Sequence, residues 1–583
     1  MNQFLKTMLA GFGVALLFLH AAPTFAQPFA EDRFANHRFA TPVEPLPVNP
    51  AIRFRERPLE FPIVAEHARV WPAQQLSTAE RVRVREFRFV GNTVFSQAQL
   101  AKVIAQFANR DVSAEELEEA RRQLTLHYVN HGFINSGALL KEQNAADGMV
   151  TFTIIEGTLA ETKITGNRHY HTDYLAAKIA RGAGRPFNVL SLREALQVLR
   201  ENANVRRINA EVQPGMRLGE ALLGVAVEEN SPYQIALEFD NHRPASIGAE
   251  RLRLVAASSN LTGRDDALQL NAGLTRNGLN QISSPLRDFA LTYKSPPSRS
   301  YANLQFAYSR GDSAVIEEPF RALDISSRSE NVSFGVRQSL GKTTRRETAL
   351  SLTLEHRQSQ TFLGGVPFSF SRGDLNGKAQ TTALRFGGEF LNRTPRQVFA
   401  ARSLLSWGGD FAGSTHNSQA PNGRFLTWLG QAQYVRVLDE SGRQLVLRVN
   451  GQWANRPLLS VEQFAIGGAN SVRGYRENQL VRDEGIVASA EFHIPVAFAK
   501  SGKEVLVLVP FADFGYGKNL SVASSPIITG SDSIGSAGLG LLYTPNRRFN
   551  AQLFWGHPFR KLTTPGGDLQ DKGIHFYFVW NLL

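Results

Sequence analysis

From Tyr233 to the C-terminus the chain alternates hydrophobic and polar residues with a period of two. Tyr233, Ile235, Leu237 and Phe239 fall on one face, against Gln234, Ala236, Glu238 and Asp240 on the other. A β-strand with unlike surroundings on its two faces reads this way. Similar segments begin near Arg251, Ala267, Asp288, Ala302, Val332, Thr348, Thr382, Val398, Phe425, Gln444, Gly485, Lys503, Ile534, Phe549 and Ile574. That makes about sixteen strands, and ~350 residues suits sixteen spans of ~10 residues with their connections.

The connections carry a rhythm of their own. Short links such as Thr262 to Asp265, Pro296 to Ser300, Gly341 to Arg345, Asn392 to Arg396, Asp439 to Arg443, Ala499 to Gly502 and Pro545 to Arg548 follow every second strand. Longer polar loops lie between them: Arg310 to Glu330, Arg357 to Gln380, Gly408 to Gly423, Ala454 to Asp483, Gly515 to Ser533 and His557 to Gly573. A sandwich or propeller gives no reason for this alternation. A membrane barrel does, with turns at one rim and loops at the other. A barrel this wide encloses an aqueous lumen, and Trp407, Trp428, Trp453, Trp555 and Trp580 stand near strand ends as interfacial girdles do.

Between Arg81 and Asn230 the pattern is different and it repeats. Phe87 to Asn92 and Thr162 to Asn167 are short strands that each end in a Gly-Asn turn. Ser96 with Gln99, Ser113 with Glu116, and Ser191 with Glu194 read as helix caps. Leu117, Ala120, Leu124 and Tyr128 recur at helical spacing behind the second cap, as do Leu192, Ala195, Leu196 and Leu199 behind the third. Gly132 ends the earlier helix, Met149 to Ile155 alternates as a strand, and Pro214-Gly215 turns a hairpin into Leu222 to Val227. Strand, two helices and hairpin, twice over, predict two α+β modules at 81–157 and 158–230, ahead of a barrel at 231–583.

The first 26 residues have Lys6, an apolar run from Met8 to Leu19 and Thr24-Phe25-Ala26, the form of a secretory signal peptide. Within 27–80, Phe29, Phe34 and Phe39 allow a short helix, and prolines from Pro42 to Pro72 predict an extended linker.

Composition narrows the function. The 583 residues are 43% hydrophobic, with no stretch approaching the ~20 apolar residues a spanning helix needs, so a membrane role requires a closed barrel. Cysteine is absent, which removes thiol chemistry and disulfides. The net charge of +12 is scattered and forms no basic helix or aromatic-basic patch for nucleic acid; anionic membrane surfaces or solvated loops account for it. His169 and His171 lack metal-ligand spacing, Gly467-Gly468-Ala469-Asn470 lacks the setting of a phosphate loop, and no nucleophile elbow appears. Ser309-Arg310-Gly311-Asp312 reads as a turn, and Asp265-Asp266 as acids of a short turn without an enclosed setting. The chain is expected to be no enzyme and to carry no cofactor or metal.

The residues that stand out are Val472, Arg473, Gly474 and Tyr475 in a long polar loop, and Phe511, Asp513 and Gly515 on a following strand. A loop arginine reaching a lone carboxylate in the lumen would fold an outer loop back inside the barrel. The guanidinium would donate two parallel bonds, Gly474 would allow a tight bend, and Tyr475 would pack on the wall.

These paired motifs, behind two repeats and a Pro-rich segment, resemble the outer-membrane transporters of two-partner secretion, the haemolysin secretion/activation proteins of ShlB/FhaC/HecB type. The superfamily also holds barrel-assembly proteins. The resemblance covers nearly the whole mature chain. It implies a transmembrane β-barrel of about sixteen antiparallel strands preceded by two α+β POTRA-like periplasmic domains, in the outer membrane of a Gram-negative bacterium. It further implies an N-terminal helix able to plug the pore and a latch loop that is the sixth outer loop. The implied partner is a large secreted exoprotein, of haemolysin or filamentous-adhesin type, bound unfolded by the POTRA domains and passed through the barrel without ATP. The surroundings would be outer-membrane lipid and lipopolysaccharide, with no nucleic acid, and the protein a monomer. The alternative is a factor that assembles other barrels. One departure is the C-terminus, Trp580-Asn581-Leu582-Leu583, where the family has an aromatic last residue.

Overall fold

The computed structural model describes residues 81–583 apart from 146, 276–287, 299, 319, 420, 500–503, 522–530 and 563–566. The signal-peptide, plug-helix and linker segments read from the sequence lie outside the described residues. The chain divides into two compact units; the described part of one comprises 81–232 with 259–266, and the other is the remainder.

The first unit holds the repeat. Strands β1 (Arg81–Val84) and β3 (Arg110–Ser113) pair beside a sheet of β2 (Glu86–Val90), β4 (Gly137–Leu139) and β5 (Met149–Ile155) in the order β2-β5-β4. Helices α1 (Gln97–Val103) and α2 (Ala114–Asn130) carry capping boxes at Ser96 and Ser113 as the sequence predicts. The α2 stripe of Leu117, Ala120, Leu124 and Tyr128 is buried. The second copy repeats the order, with β6 (Thr158–Thr165), α3 (Thr172–Ala183), α4 (Val189–Arg200), β7 (Val205–Pro214) and β8 (Glu220–Glu229) in a sheet β6-β8-β7. In both sheets the first strand runs parallel to the last.

The likeness extends to single atoms. Glu156, just past β5, accepts from the Thr93 and Val94 backbone N–H groups at 2.7 and 2.8 Å. Glu229, at the end of β8, accepts from those of His169 and Tyr170 at 2.6 and 3.2 Å. Each acid thus ties down the chain after a Gly-Asn turn whose glycine has positive φ, +92° at Gly91 and +81° at Gly166. A Cβ at either glycine would lie 2.5 or 2.6 Å from a carbonyl oxygen of that same strand.

Two readings change here. The cap of α4 is Asn188, not Ser191: its Oδ1 accepts from Leu190 and Ser191 N–H, while its Nδ2 donates to His131 O at 2.9 Å. Spacing alone favoured Ser191, but the contact with the end of α2 starts the helix a turn earlier. Asp265 has an enclosed setting after all, accepting from Tyr170 OH, Lys178 Nζ and Asn202 Nδ2 at 2.9, 2.8 and 2.7 Å.

The other unit is a closed barrel of sixteen antiparallel strands. They are β9 (Tyr233–Asp240), β10 (Arg251–Ser258), β11 (Ala267–Thr275), β12 (Asp288–Lys294), β13 (Ala302–Ala314), β14 (Ile325–Lys342), β15 (Arg346–Leu363), β16 (Lys378–Arg393), β17 (Gln397–Gly409) and β18 (Phe425–Val437), then β19 (Gln444–Ala454), β20 (Glu484–Phe498), β21 (Glu504–Lys518), β22 (Ser531–Tyr543), β23 (Phe549–Pro558) and β24 (Ile574–Asn581). Pairing of β24 with β9 closes the ring. Its faces are inverted relative to a water-soluble protein. Leu237, Phe239, Leu252, Leu254, Phe386, Phe514 and Leu539 are exposed on the outside, while Glu238, Asn271, Asn303, Asn331 and Gln431 are buried. An apolar exterior and a polar interior are what a bilayer and a wet lumen select. Trp407, Trp428, Trp555 and Trp580 are exposed on that exterior, and Trp453 lies opposite Trp428 in the register.

Ser309 to Asp312, read as a turn, lie inside β13, opposite Asn331 to Arg328 of β14. The strands run on into what the pattern gave as loops.

Candidate functional site: a loop folded into the barrel

Residues 455–483 join β19 to β20, the sixth connection at the loop end of the barrel when counted from the one between β9 and β10. A small hairpin, Phe464–Ile466 with Leu480–Arg482, stiffens the loop, and its apolar side packs Phe464, Ile466, Val472 and Tyr475 against Val487 and Ile534 of the wall. A Cβ at Gly515 would stand 2.4 Å from Ile466 Cγ2, so the missing side chain there makes room for the loop.

The structure brings Arg473 and Asp513 together. Arg473 Nε donates to Asp513 Oδ2 at 2.8 Å and Nη2 to Oδ1 at 2.7 Å, the two parallel bonds of a forked pair. The Arg473 backbone N–H adds a third, at 3.0 Å. Both residues are 3% exposed. The guanidinium carbon sits 3.7 Å from the Phe511 ring centroid and 4.8 Å from that of Phe554, so its faces are covered by rings while its edge is hydrogen-bonded. Phe511, Asp513 and Gly515 are all buried, whereas Phe514 and Tyr516 between and beyond them are exposed, which places the motif's odd positions on the lumen side.

Gly474 has φ +94°, and a Cβ there would lie 2.8 Å from Gly556 O of β23. Only glycine fits that contact. Tyr475 OH donates to Arg560 O at 2.9 Å and accepts from Arg560 N–H at 3.3 Å, so its ring is tied to the chain after β23.

Sequence reasoning missed most of what surrounds the pair. Glu491 of β20 accepts from Arg473 Nη1 at 2.7 Å and from Arg448 Nη1 at 2.6 Å, and His493 Nε2 lies 2.8 Å from it. Ser489 accepts from Arg473 Nη2 at 3.0 Å. Two cations thus face two buried carboxylates. Arg476 continues the loop's attachment, with bonds to Glu317 at 2.7 and 2.9 Å and to Asp571 at 2.5 and 2.7 Å. The alternation Ser489, Glu491, His493 marks a polar face, but nothing in it points to Arg473. No group of acids and histidines able to hold a metal ion occurs among the described residues.

A model of the family described as haemolysin secretion/activation protein ShlB/FhaC/HecB matches residues 219–540, over half of the chain. The chain belongs to this family. A ShlB-type POTRA domain matches residues 82–157, the first of the two modules. Among curated relatives of this ShlB/FhaC/HecB member, the outer membrane transporter CdiB of Dickeya dadantii is 26% identical over 404 residues, 68% of this chain and 69% of that protein. The heme/hemopexin transporter protein HuxB of Haemophilus influenzae is 22% identical over 76% of this chain and 78% of its own length. The solved structure of CdiB from Escherichia coli superposes with a TM-score of 0.64 at 20% identity, covering 89% of this chain and 93% of that one. CdiB from Acinetobacter baumannii gives 0.59 at 17%, covering 100% and 98%; at such identities these two likenesses establish the fold. The protein is a β-barrel of the outer membrane, of the two-partner secretion type, with its POTRA domain in the periplasm.

Proposed function

We propose that the protein recognises an unfolded exoprotein with its periplasmic modules and passes it through the barrel, with no nucleotide consumed. The observation that carries this reading is the buried Arg473–Asp513 pair inside a polar lumen. A permanently open pore needs no such closure, and a filled barrel could pass no chain. The segments Val472 to Tyr475 and Phe511 to Gly515 act as the latch that holds the loop within the bore.

Capture is ascribed to the first module. Its strand β2 is an edge strand, and beside it runs a groove of about 750 Å³ between β2 and α1, lined by Arg85, Arg88, Ala98, Ala101, Lys102 and Met149 among others. The β2 edge is partly capped by a side chain: Gln97 Oε1 accepts from Phe89 N–H at 3.0 Å, and Gln97 Nε2 donates to Phe89 O at 2.5 Å. One primary amide thus stands where the peptide of an added strand would bond. An extended segment that displaces it gains strand pairing along β2 and a small-residue floor for its side chains. Three cations, Arg85, Arg88 and Lys102, against one carboxylate, Glu86, favour a segment with acidic side chains.

The test is secretion. Arg473→Ala and Asp513→Asn should stop export of the partner while heat-modifiable, folded barrel remains in the outer membrane. Normal export from both would remove the latch, and export-competent protein lacking residues 81–157 would remove the capture step.

A further inference from the structure

The loop is anchored at its root as well as at its tip. Eleven positions before Arg473, Glu462 is 3% exposed and lies in a single helical turn, Ser460–Glu462, that turns back from β19 toward β15 and β16. Its Oε1 accepts from Arg385 Nη2 and Thr381 Oγ1, each at 2.8 Å. Its Oε2 accepts from Arg385 Nη2 at 3.0 Å and Arg357 Nη1 at 3.4 Å. Arg357 Nη1 also reaches the neighbouring Val461 carbonyl, at 3.2 Å. Both arginines are steadied from behind by Glu355 of β15. The carboxylate is therefore held by two cations of the wall and a hydroxyl, in a pocket closed to water.

None of these groups touches the Arg473 cluster, whose partners belong to β19, β20, β21 and β23. The two anchors grip arcs of the wall on opposite sides of the point where the loop leaves it. Loss of the Arg473–Asp513 bonds removes one hold on the tip, which Tyr475 and Arg476 also tie, and leaves the root in place across the bore. Loss of the Glu462 side-chain bonds would release the root from β15 and β16 and leave the bonds of the tip in place.

We propose that Glu462 is a second positioning residue of the loop, that its ion pairs with Arg385 and Arg357 hold the root independently of the tip, and that full opening of the lumen requires both anchors to let go. The inference rests on the transporter reading for its consequence, since it matters only if the loop has to move for a chain to pass.

The experiment uses the purified full-length protein in planar bilayers, with no partner present. Glu462→Gln keeps the side chain's shape and removes its charge. The expected result is a conducting level absent from the parent and different from that of Arg473→Ala. The double variant should conduct at least about twice as much as either single one. Glu462→Asp should restore part of the parent's closure. If Glu462→Gln conducts as the parent does, and the double variant as Arg473→Ala does, the proposal is overturned, even if the barrel's melting temperature drops; a melting shift alone is what a merely structural carboxylate would give. If Glu462→Gln fails to insert, Arg385→Gln carries the test, since it removes the closer of the two ion pairs to the same carboxylate; unaltered conductance from it overturns the proposal equally. Because no exoprotein is in the bilayer, a parent that secretes nothing sinks the transporter reading without touching this one.

Discussion

Asp513 accepts three bonds from one residue, and that geometry sets what a substitution can do. A lysine at 473 keeps the charge but presents one ammonium where the guanidinium presents a planar fork, so it cannot bond both Asp513 oxygens while also reaching Glu491. Losing even one charge-assisted bond costs about 1.5–3 kcal/mol. Arg473→Lys should therefore lower export about tenfold or more, measured as partner in the medium per barrel in the membrane. A lysine variant that exports normally would mean that charge alone suffices. Gly474→Ala should fail as well, with every charge retained, because its Cβ meets Gly556 O. The pair itself was legible in the sequence because Asp513 is a lone carboxylate among apolar and glycine residues and Arg473 stands beside glycine in a polar loop. Glu491 was not, because its place beside the pair is a matter of register: Ser489 lies opposite Asp513, and Glu491 opposite Phe511. Glu462 was hidden for the same reason, its partners being 77 and 105 positions away along the chain.

At the scale of elements, the modules were readable wherever the determinant is local, and two capping boxes and the α2 stripe fall where spacing places them. Asn188 was missed because a contact with the end of α2, not local chemistry, fixes the start of α4. Glu156 supplies a prediction. Burial pushes its pKa up, but the bonds from Thr93, Val94 and Tyr128 outweigh that and hold it below the usual glutamate value. A carboxylate with a depressed folded pKa adds stability above its unfolded value of 4.5, and that stability is lost as the pH falls through the folded value. The α-helices among the described residues all lie in the modules, so loss of the helical circular-dichroism signal reports their melting. Glu156→Gln should melt below the parent at pH 7, and the gap should close as the pH falls below 4.5 and through the folded value; a constant gap would refute the assignment. The groove beside β2 is open to an equally direct trial. Ala98→Trp fills it from the exposed side of α1 and should weaken capture of the partner's N-terminal segment by about tenfold, ~1.4 kcal/mol, with the helix melting unchanged. Barrel strands were readable where one face meets lipid. Toward the loop end, Ser326 to Ser329 of β14 run opposite Phe362 to Ser359 of β15 with polar residues on both faces, so the period of two vanishes and strand looks like loop.

The whole molecule has a seam, and the seam separates two ways in which such a barrel could work. Pairing of β24 with β9 runs only from Tyr577–Asp240 to Asn581–Ala236, whereas β15 and β16 pair from Arg346–Asn392 to Gln360–Lys378. With each ladder position adding a little to the strength of a joint, the shortest ladder is where a wall would part first. A factor that inserts other barrels into the membrane needs its wall to part sideways, because its product must reach the lipid. A transporter whose cargo leaves through the bore does not: its moving element is the loop held by Arg473 and Glu462, and its wall can stay shut. The chain has no cysteine, so a pair placed across the seam would be its only thiols. Ala236 and Asn581 stand directly opposite each other in the closing pair, and antiparallel partners lie within the ~4.4–6.8 Å between Cα atoms that a disulfide spans. Ala236→Cys with Asn581→Cys, oxidised, should leave export within about twofold of the reduced form, while the bilayer conductance of an Arg473→Ala version should persist through the oxidised ring. Export that stops on oxidation and returns on reduction would show that the cargo needs the seam, and would move the site of action from the lumen to the wall.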